Sequence, residues 1–156
     1  MAGHQYRAST EHHVAVDASN ITKRLWVGSA PPFDRELPFD VLALCAVEIQ
    51  PKQLAFRGAV IRCPIPDAYL TIGQTQRALS SGRAVGEALR AGRRVLVTCA
   101  AGLNRSSLVA GIGLGLVSRL PPSEIVLLMR KQRSPSCLHN PHFVEILDRY
   151  LARVRS

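Results

Sequence analysis

Several features that mark common functional classes are scarce or missing in this sequence. Its four cysteines, at positions 45, 63, 99 and 137, include no Cys-x-x-Cys pair. This spacing argues against a zinc ribbon and against a disulfide framework, and it fits a reducing compartment. The longest uninterrupted apolar stretch, residues 108–117, is far too short to span a bilayer. Aromatic residues make up only 5% of the chain, so the core must consist mainly of Leu, Val, Ile and Ala.

Acidic residues are also scarce, with 11 Asp and Glu against 20 Lys and Arg and a formal net charge of +9. Such a balance suits an anionic partner, whether a phosphorylated protein, a nucleic acid or an anionic surface, without choosing among them. The length of 156 residues and the hydrophobic content of 47% predict a single globular domain. No charged-then-apolar leader is visible at the N-terminus, and we expect a soluble, cytoplasmic protein.

The apolar patterns predict alternating strands and helices. Strands are expected over residues 21–28, 39–49, 59–63 and 95–97, and helices over residues 72–91 and 106–117, with two more after Pro121 and Asn140. This alternation predicts an α/β fold with a central, mostly parallel sheet flanked by helices. Residues 1–20 are interpreted as an N-terminal extension and residues 21–156 as the domain. Three histidines lie in the extension: His4, His12 and His13. No second cluster of ligands stands at a fixed offset from them, which argues against a metal site.

The loop between residues 97 and 106 combines a cysteine, a glycine and an arginine. A loop that curls into a helix N-terminus directs successive N–H groups at one point, and the helix dipole adds to that field, so an anion is favoured there. The same field would favour the thiolate of Cys99, which would then be a nucleophile. Arg105 could hold two phosphoryl oxygens with its planar fork, and Gly102 would permit the tight curl. About 0.4 Cys-x5-Arg pairs are expected by chance in such a chain, so the flanking strand and helix carry the interpretation.

A carboxylic acid is needed if this thiolate cleaves a phosphate ester, because the departing oxygen must be protonated. Between Glu48 and Glu124 the only acidic residues are Asp67 and Glu87, and Glu87 falls inside a predicted helix. Two prolines before Asp67 would present it on a stiff loop at the carboxyl end of a strand. Elimination therefore favours Asp67 as the acid, with a turn-forming aspartate as the alternative.

The segment CAAGLNRS resembles the active-site loop of the cysteine-dependent protein tyrosine phosphatases, HCxxGxxRS/T, and most of all its small atypical dual-specificity branch. The resemblance implies hydrolysis of phosphotyrosine in a protein partner, with phosphoserine and phosphothreonine as further candidates, through a phosphocysteine and without metal or cofactor. It implies Cys99 as nucleophile, Asp67 as general acid and Ser106 as the group that helps expel the thiolate, although Ser107 is available to cap the helix. The implied phosphate-binding residues are Ala100, Ala101, Gly102, Leu103, Asn104 and Arg105.

One position departs from that pattern. Thr98 stands where the family usually has His, and its hydroxyl could donate a hydrogen bond in place of the imidazole. Two alternatives stay open: an RNA 5′-phosphatase of the same superfamily, which the net charge would suit, and a weakly active module that binds phosphoproteins. Further along, Arg130, Lys131 and Arg133 are expected to be a solvated helix end, and Asn140 is expected to brace the loop from behind.

Overall fold

The computed structural model describes residues 5–7 and 15–156. These residues form a six-stranded sheet in the order β1-β2-β3-β6-β4-β5, in which β1, β2 and β3 are antiparallel and β3, β6, β4 and β5 are parallel. The strands are β1 (Gln5–Arg7), β2 (Ala15–Thr22), β3 (Leu25–Ser29), β4 (Val41–Ala46), β5 (Ala59–Ile65) and β6 (Val95–Cys99). The helices are α1 (Ile72–Arg90), α2 (Arg105–Val117), α3 (Pro122–Gln132) and α4 (Pro141–Val154). The predicted α/β fold with a mostly parallel sheet and flanking helices is confirmed.

The N-terminal part of the sheet differs from the sequence prediction. The single strand predicted over residues 21–28 is wrong: β2 ends at Thr22, the chain turns at Lys23 with φ of 32°, and β3 begins at Leu25. No glycine or proline marks this turn in the sequence. A lysine adopts the positive φ instead, which is uncommon for a residue with a side chain. Strand β2 begins at Ala15, within the segment interpreted as an extension. The three histidines of that segment lie outside the described residues.

The two faces of the sheet are covered differently. Along β4, Val41 and Ala43 belong to a large buried cluster with residues of all four helices, whereas Leu42 and Leu44 belong to a smaller cluster. That smaller cluster holds no helical residue and is closed by segments 33–39 and 54–56. Because side chains of a strand alternate between faces, neighbouring residues at the end of β6 also face different surroundings.

Helix α2 is the centre of the helical layer. Its residues from 105 to 115 are all buried, and it packs against α1, α3, α4 and the sheet. A Cβ at Gly113 would lie 2.6 Å from Val85 of α1, and one at Gly115 would lie 2.5 Å from Leu151 of α4, so the small residues permit close helix packing. With thirteen residues α2 is short, and none of the described helices is long and apolar enough to cross a membrane.

The parallel register brings several strand ends to one edge. Ser29 of β3 is paired with Cys99 of β6, and Leu44 of β4 is paired with Thr98. The loops that follow β3, β4, β5 and β6 therefore leave the sheet at the same edge, where α2 also begins. In open α/β sheets this carboxyl edge is the usual place of a functional site.

Candidate active site

The loop from Ala100 to Asn104 has its carbonyl groups bonded on its outer side. The guanidinium of Arg133 donates to the carbonyl oxygens of Ala101 (3.0 Å) and Gly102 (3.2 Å), and the backbone N–H of Leu138 donates to that of Leu103 (3.1 Å). In a trans peptide the C=O and the following N–H point in opposite directions. The N–H groups of residues 102, 103 and 104 are thus directed away from these partners, and no described residue accepts a hydrogen bond from them. These N–H groups face a concavity that has the geometry to accept an anion.

Arg133 is itself held in place from behind the loop. It forms a two-pronged ion pair with Asp17 of β2 (2.8 and 2.9 Å), and Asp17 also accepts from the Ser29 hydroxyl at 2.8 Å. The Arg133 hydrogen bond is the main reason why the pKa of Asp17 is lowered. The prediction of a solvated basic helix end is wrong for Arg133, whose side chain is 8% exposed. Arg130, which lies three residues earlier in the chain, also bonds inward, and its Nε donates to the carbonyl of Cys137.

Gly102 fits this loop for two separate reasons. Its φ is +72°, a conformation that residues with a Cβ rarely adopt. A Cβ at this position would also lie 2.4 Å from the carbonyl carbon of Gly28 in β3. The loop and the end of β3 therefore meet backbone to backbone, which keeps the loop close to the sheet edge.

Cys99 and Ser106 meet at the base of the concavity. Cys99 is 4% exposed, Ser106 is fully buried, and Sγ lies 3.2 Å from Oγ. A serine hydroxyl at this distance can donate a hydrogen bond to a thiolate. The two residues close the loop at its ends, because Cys99 is the last residue of β6 and Ser106 lies in the first turn of α2.

Arg105 is fixed by a carboxylate that the sequence did not single out. Its Nη1 and Nη2 donate to the two carboxylate oxygens of Glu48 at 2.7 and 2.6 Å, and Nη1 also donates to the carbonyl of Ile65 at 3.1 Å. The Arg105 side chain is 8% exposed, and that of Glu48 is 49% exposed. The hydrogen bond from Arg105 is the main reason why the pKa of Glu48 falls to about 2. Arg105 thus stays a charged, oriented group.

These partners leave one side of the Arg105 guanidinium available. A guanidinium has five N–H bonds, and the three hydrogen bonds described use both of those on Nη1 and one on Nη2. The N–H of Nε and the second N–H of Nη2 have no acceptor among residues 5–7 and 15–156. These two donors are parallel and adjacent, which is the geometry that binds two oxygens of one phosphoryl group.

Asp67 lies beside the loop and is held by two amides. Its Oδ2 accepts from Asn104 at 2.9 Å, and its Oδ1 accepts from Asn140 at 3.4 Å. Asn104 also accepts, through Oδ1, the N–H of His139 at 2.7 Å, and thus joins three segments. Asn140 was expected to brace the loop, and its backbone N–H does donate to Oδ1 of the loop residue Asn104 at 3.3 Å, while its side-chain amide donates to Asp67 and to the carbonyl of Ala68.

Thr98 does not replace a histidine beside the thiol. Its side chain is buried on the face of the sheet opposite that of Cys99, and its hydroxyl donates to the carbonyl of Ala43 in β4 at 2.9 Å. This hydrogen bond joins two strands just below the loop. The suggestion that the hydroxyl acts on the thiolate is therefore wrong for this structure.

The sequence interpretation missed Glu48 and Arg133 as parts of the site. For Glu48 the signal was hidden, since it falls inside the strand predicted over residues 39–49, whereas β4 ends at Ala46 and Glu48 lies in the loop at the carboxyl edge of the sheet, where functional groups gather. Arg133 had no such signal, because a cation in the last turn of a helix is ordinarily explained by the helix dipole. Among the described residues, no group of three or more His, Cys, Asp or Glu side chains could hold a metal ion.

Of three comparisons with known proteins, only the one with solved structures found matches. No model of a protein family matches the chain, and no curated protein matches it. Solved structures do match. Tk-PTP in the active form is 24% identical, with a TM-score of 0.70 over 88% of this chain and 97% of the other.

Two human proteins give similar values. Human DUSP28 is 20% identical, with a TM-score of 0.68 over 90% of this chain and 96% of the other. The human tyrosine phosphatase-like serine/threonine/tyrosine-interacting protein is 19% identical, with a TM-score of 0.66 over 89% and 98%. The TM-scores show that this chain has the fold of the small dual-specificity phosphatases. Because all three identities are below 25%, the matches show the fold alone.

Proposed function

We propose that this chain is a cysteine-dependent protein phosphatase, which hydrolyses phosphotyrosine and accepts phosphoserine and phosphothreonine as further substrates. The observation that carries the proposal is the loop whose carbonyls are bonded outward, so that three N–H groups and two donors of Arg105, which interacts electrostatically with Cys99, have no acceptor among residues 5–7 and 15–156. A tetrahedral dianion has the charge and the oxygens to use all of these donors.

In the first chemical step, the thiolate of Cys99 attacks phosphorus and forms an S–P bond. The P–O bond to the substrate breaks, and the departing oxygen takes the proton of the Asp67 carboxyl. The loop N–H groups and the free fork of Arg105 hold the three equatorial oxygens, where charge builds up in the transition state. Asn104 and Asn140 keep the Asp67 carboxyl beside the loop.

In the second step, water attacks phosphorus and gives a proton to the Asp67 carboxylate. The S–P bond breaks, inorganic phosphate forms, and sulfur leaves as a thiolate. The Ser106 hydroxyl, 3.2 Å from Sγ, donates a hydrogen bond to that leaving sulfur. No metal or cofactor takes part in this sequence of steps.

Hydrolysis of an aryl phosphate tests the proposal directly. Cys99→Ser should abolish turnover, and Asp67→Asn should lower kcat by about 10²-fold or more, since general acid catalysis contributes 10²–10⁴-fold. Cys63→Ser is the matched control, because it makes the same exchange at a buried cysteine of β5. Normal turnover by Cys99→Ser would rule the mechanism out.

A phosphoprotein-binding module is the second candidate, and Thr98 is the observation that favours it. Its hydroxyl is committed to Ala43, so no side chain from this position supports the thiolate. If wild-type protein binds phosphopeptides and releases them unhydrolysed, this function is correct. If it is an enzyme, Thr98→Val should change kcat less than threefold, because the residue supports the sheet rather than the chemistry.

A further inference from the structure

A groove leads away from the site along two helices. It lies between the first turns of α1 and the length of α4, has a volume of about 570 Å³, and belongs to no part of the mechanism above. Its floor includes Leu79, Ile146 and Tyr150. Arg149 and Arg153 line its far end. The surface is thus apolar along its length and basic at one end.

The groove begins where the Asp67 loop ends. Tyr69, two residues after Asp67, stacks on His142 with ring centroids 3.8 Å apart and an angle of 17° between planes. Helix α1 starts at Ile72 and α4 at Pro141, so both walls begin beside the acid. Asp67 protonates the oxygen that links phosphorus to the rest of the substrate. The rest of the substrate must therefore lie on this side of the loop, at the mouth of the groove.

The exposed side chains of the groove point to its ligand. Tyr69 and Ile72 at the mouth are each 80% exposed, which is unusual for large apolar residues and typical of a contact surface. Arg153 has no carboxylate within 4.0 Å among residues 5–7 and 15–156, and its guanidinium lies 5.6 Å from the Tyr150 ring centre. Arg149 is paired with Glu145 at 2.7 Å but is 80% exposed. An apolar segment that carries negative charge at its far end complements these features.

We propose that this groove binds the polypeptide on one side of the phosphorylated residue of the substrate, and that it selects acidic side chains there. The inference rests on the proposed function. Along α4, Arg149 and Arg153 lie about 10 and 16 Å beyond His142, at 1.5 Å per residue. An extended peptide rises about 3.3 Å per residue. Acidic residues are therefore preferred three to five positions from the phosphotyrosine, with an apolar residue before them.

The test measures peptide binding to the Cys99→Ser protein, so that turnover is not needed. Four phosphotyrosine peptides carry either Glu or Lys at the third to fifth positions, before or after the phosphotyrosine. Fluorescence anisotropy should show the Glu peptide of one direction binding about tenfold more tightly than its Lys counterpart. The double variant Arg149→Ala/Arg153→Ala should remove that preference, and Ile72→Ser should weaken both peptides of that direction.

Matched controls lie at the opposite end of the molecule or on another helix. Arg93→Ala/Arg119→Ala removes the same charge, and Leu127→Ser changes an apolar residue that is 56% exposed on α3. Neither control should alter the preference or weaken the binding of either peptide. In the active protein, hydrolysis of an aryl phosphate should change less than twofold with the groove variants, because this substrate has no polypeptide.

Several outcomes would overturn the inference. The first is equal binding of the Glu and Lys peptides, and the second is an equal loss of the preference in the control variants. The third is that the groove variants weaken binding of a 5′-triphosphorylated RNA in the same assay and leave peptide binding unchanged. Failure of wild-type protein to hydrolyse an aryl phosphate would contradict the proposed function instead. The peptide preference of the Cys99→Ser protein is measured independently of that result.

Discussion

Arg105 and Arg133 lie on opposite sides of one loop and have nearly the same immediate surroundings. Each side chain is 8% exposed, and each forms a two-pronged ion pair with a carboxylate that is about half exposed, Glu48 at 49% and Asp17 at 51%. They differ in their remaining donors. All five N–H bonds of Arg133 are used by Asp17, Ser19 and two loop carbonyls, whereas Arg105 keeps two adjacent donors.

This comparison shows that burial and ion pairing do not by themselves identify a functional arginine. Both pairs hold a buried cation in place. Only the cation with unused donors can bind a ligand without breaking its own support. We infer that Arg133 orients the loop and Arg105 binds the phosphoryl group.

The largest expected effect is that of Arg105→Lys on activity. Lysine keeps the charge but loses the fork that bridges Glu48 and two phosphoryl oxygens, so kcat/KM for an aryl phosphate should fall about 10³-fold. The free energy of unfolding should fall by only about 1 kcal/mol, since Glu48 is half exposed to water. Steady-state kinetics and urea denaturation measure the two effects. Activity within threefold of wild type would contradict the assigned role.

Arg133→Lys should give the opposite balance. A lysine cannot reach Asp17 and both loop carbonyls together, so the free energy of unfolding should fall by about 2–3 kcal/mol. The loop N–H groups then lose their orientation, and kcat/KM should fall about ten- to hundredfold. The same two measurements apply. If activity fell as far as in Arg105→Lys while stability was unchanged, Arg133 would be a phosphate ligand and the contrast would fail.

The smallest expected effect concerns acid stability through Glu48. Its pKa is about 2 in the folded protein against an ordinary value of 4.5, because Arg105 stabilises the charged carboxylate. Its contribution to stability is therefore complete above about pH 4.5 and is lost as pH falls towards 2. Glu48→Gln does not titrate, so its difference from wild type in unfolding free energy should shrink over this range. Urea denaturation at several pH values measures this difference. A difference that stays constant between pH 4.5 and 2 would contradict the ion pair between Glu48 and Arg105.

Local patterns predicted most of the elements. The apolar periods, with Pro121 and Asn140 as starting signals for the last two helices, place the four helices within two residues of their observed starts, because these signals act within a few residues. The turn at Lys23 was missed because no turn residue marks it. The loop was recognisable because Cys99, Gly102, Arg105 and Ser106 are near neighbours in the chain. Their roles in catalysis stay predictions.

The amino-acid sequence by itself determined the alternating α/β pattern and the contiguous loop, since both depend on spacing along the chain. Only the tertiary structure decided the partners of that loop: Glu48 is 57 residues from Arg105, and Asp17 is 116 residues from Arg133. Such pairs form when the tertiary fold brings together elements that are far apart in the chain, and local propensity carries no information about that arrangement. The same alternation of strand side chains turned Thr98 away from Cys99 and towards Ala43.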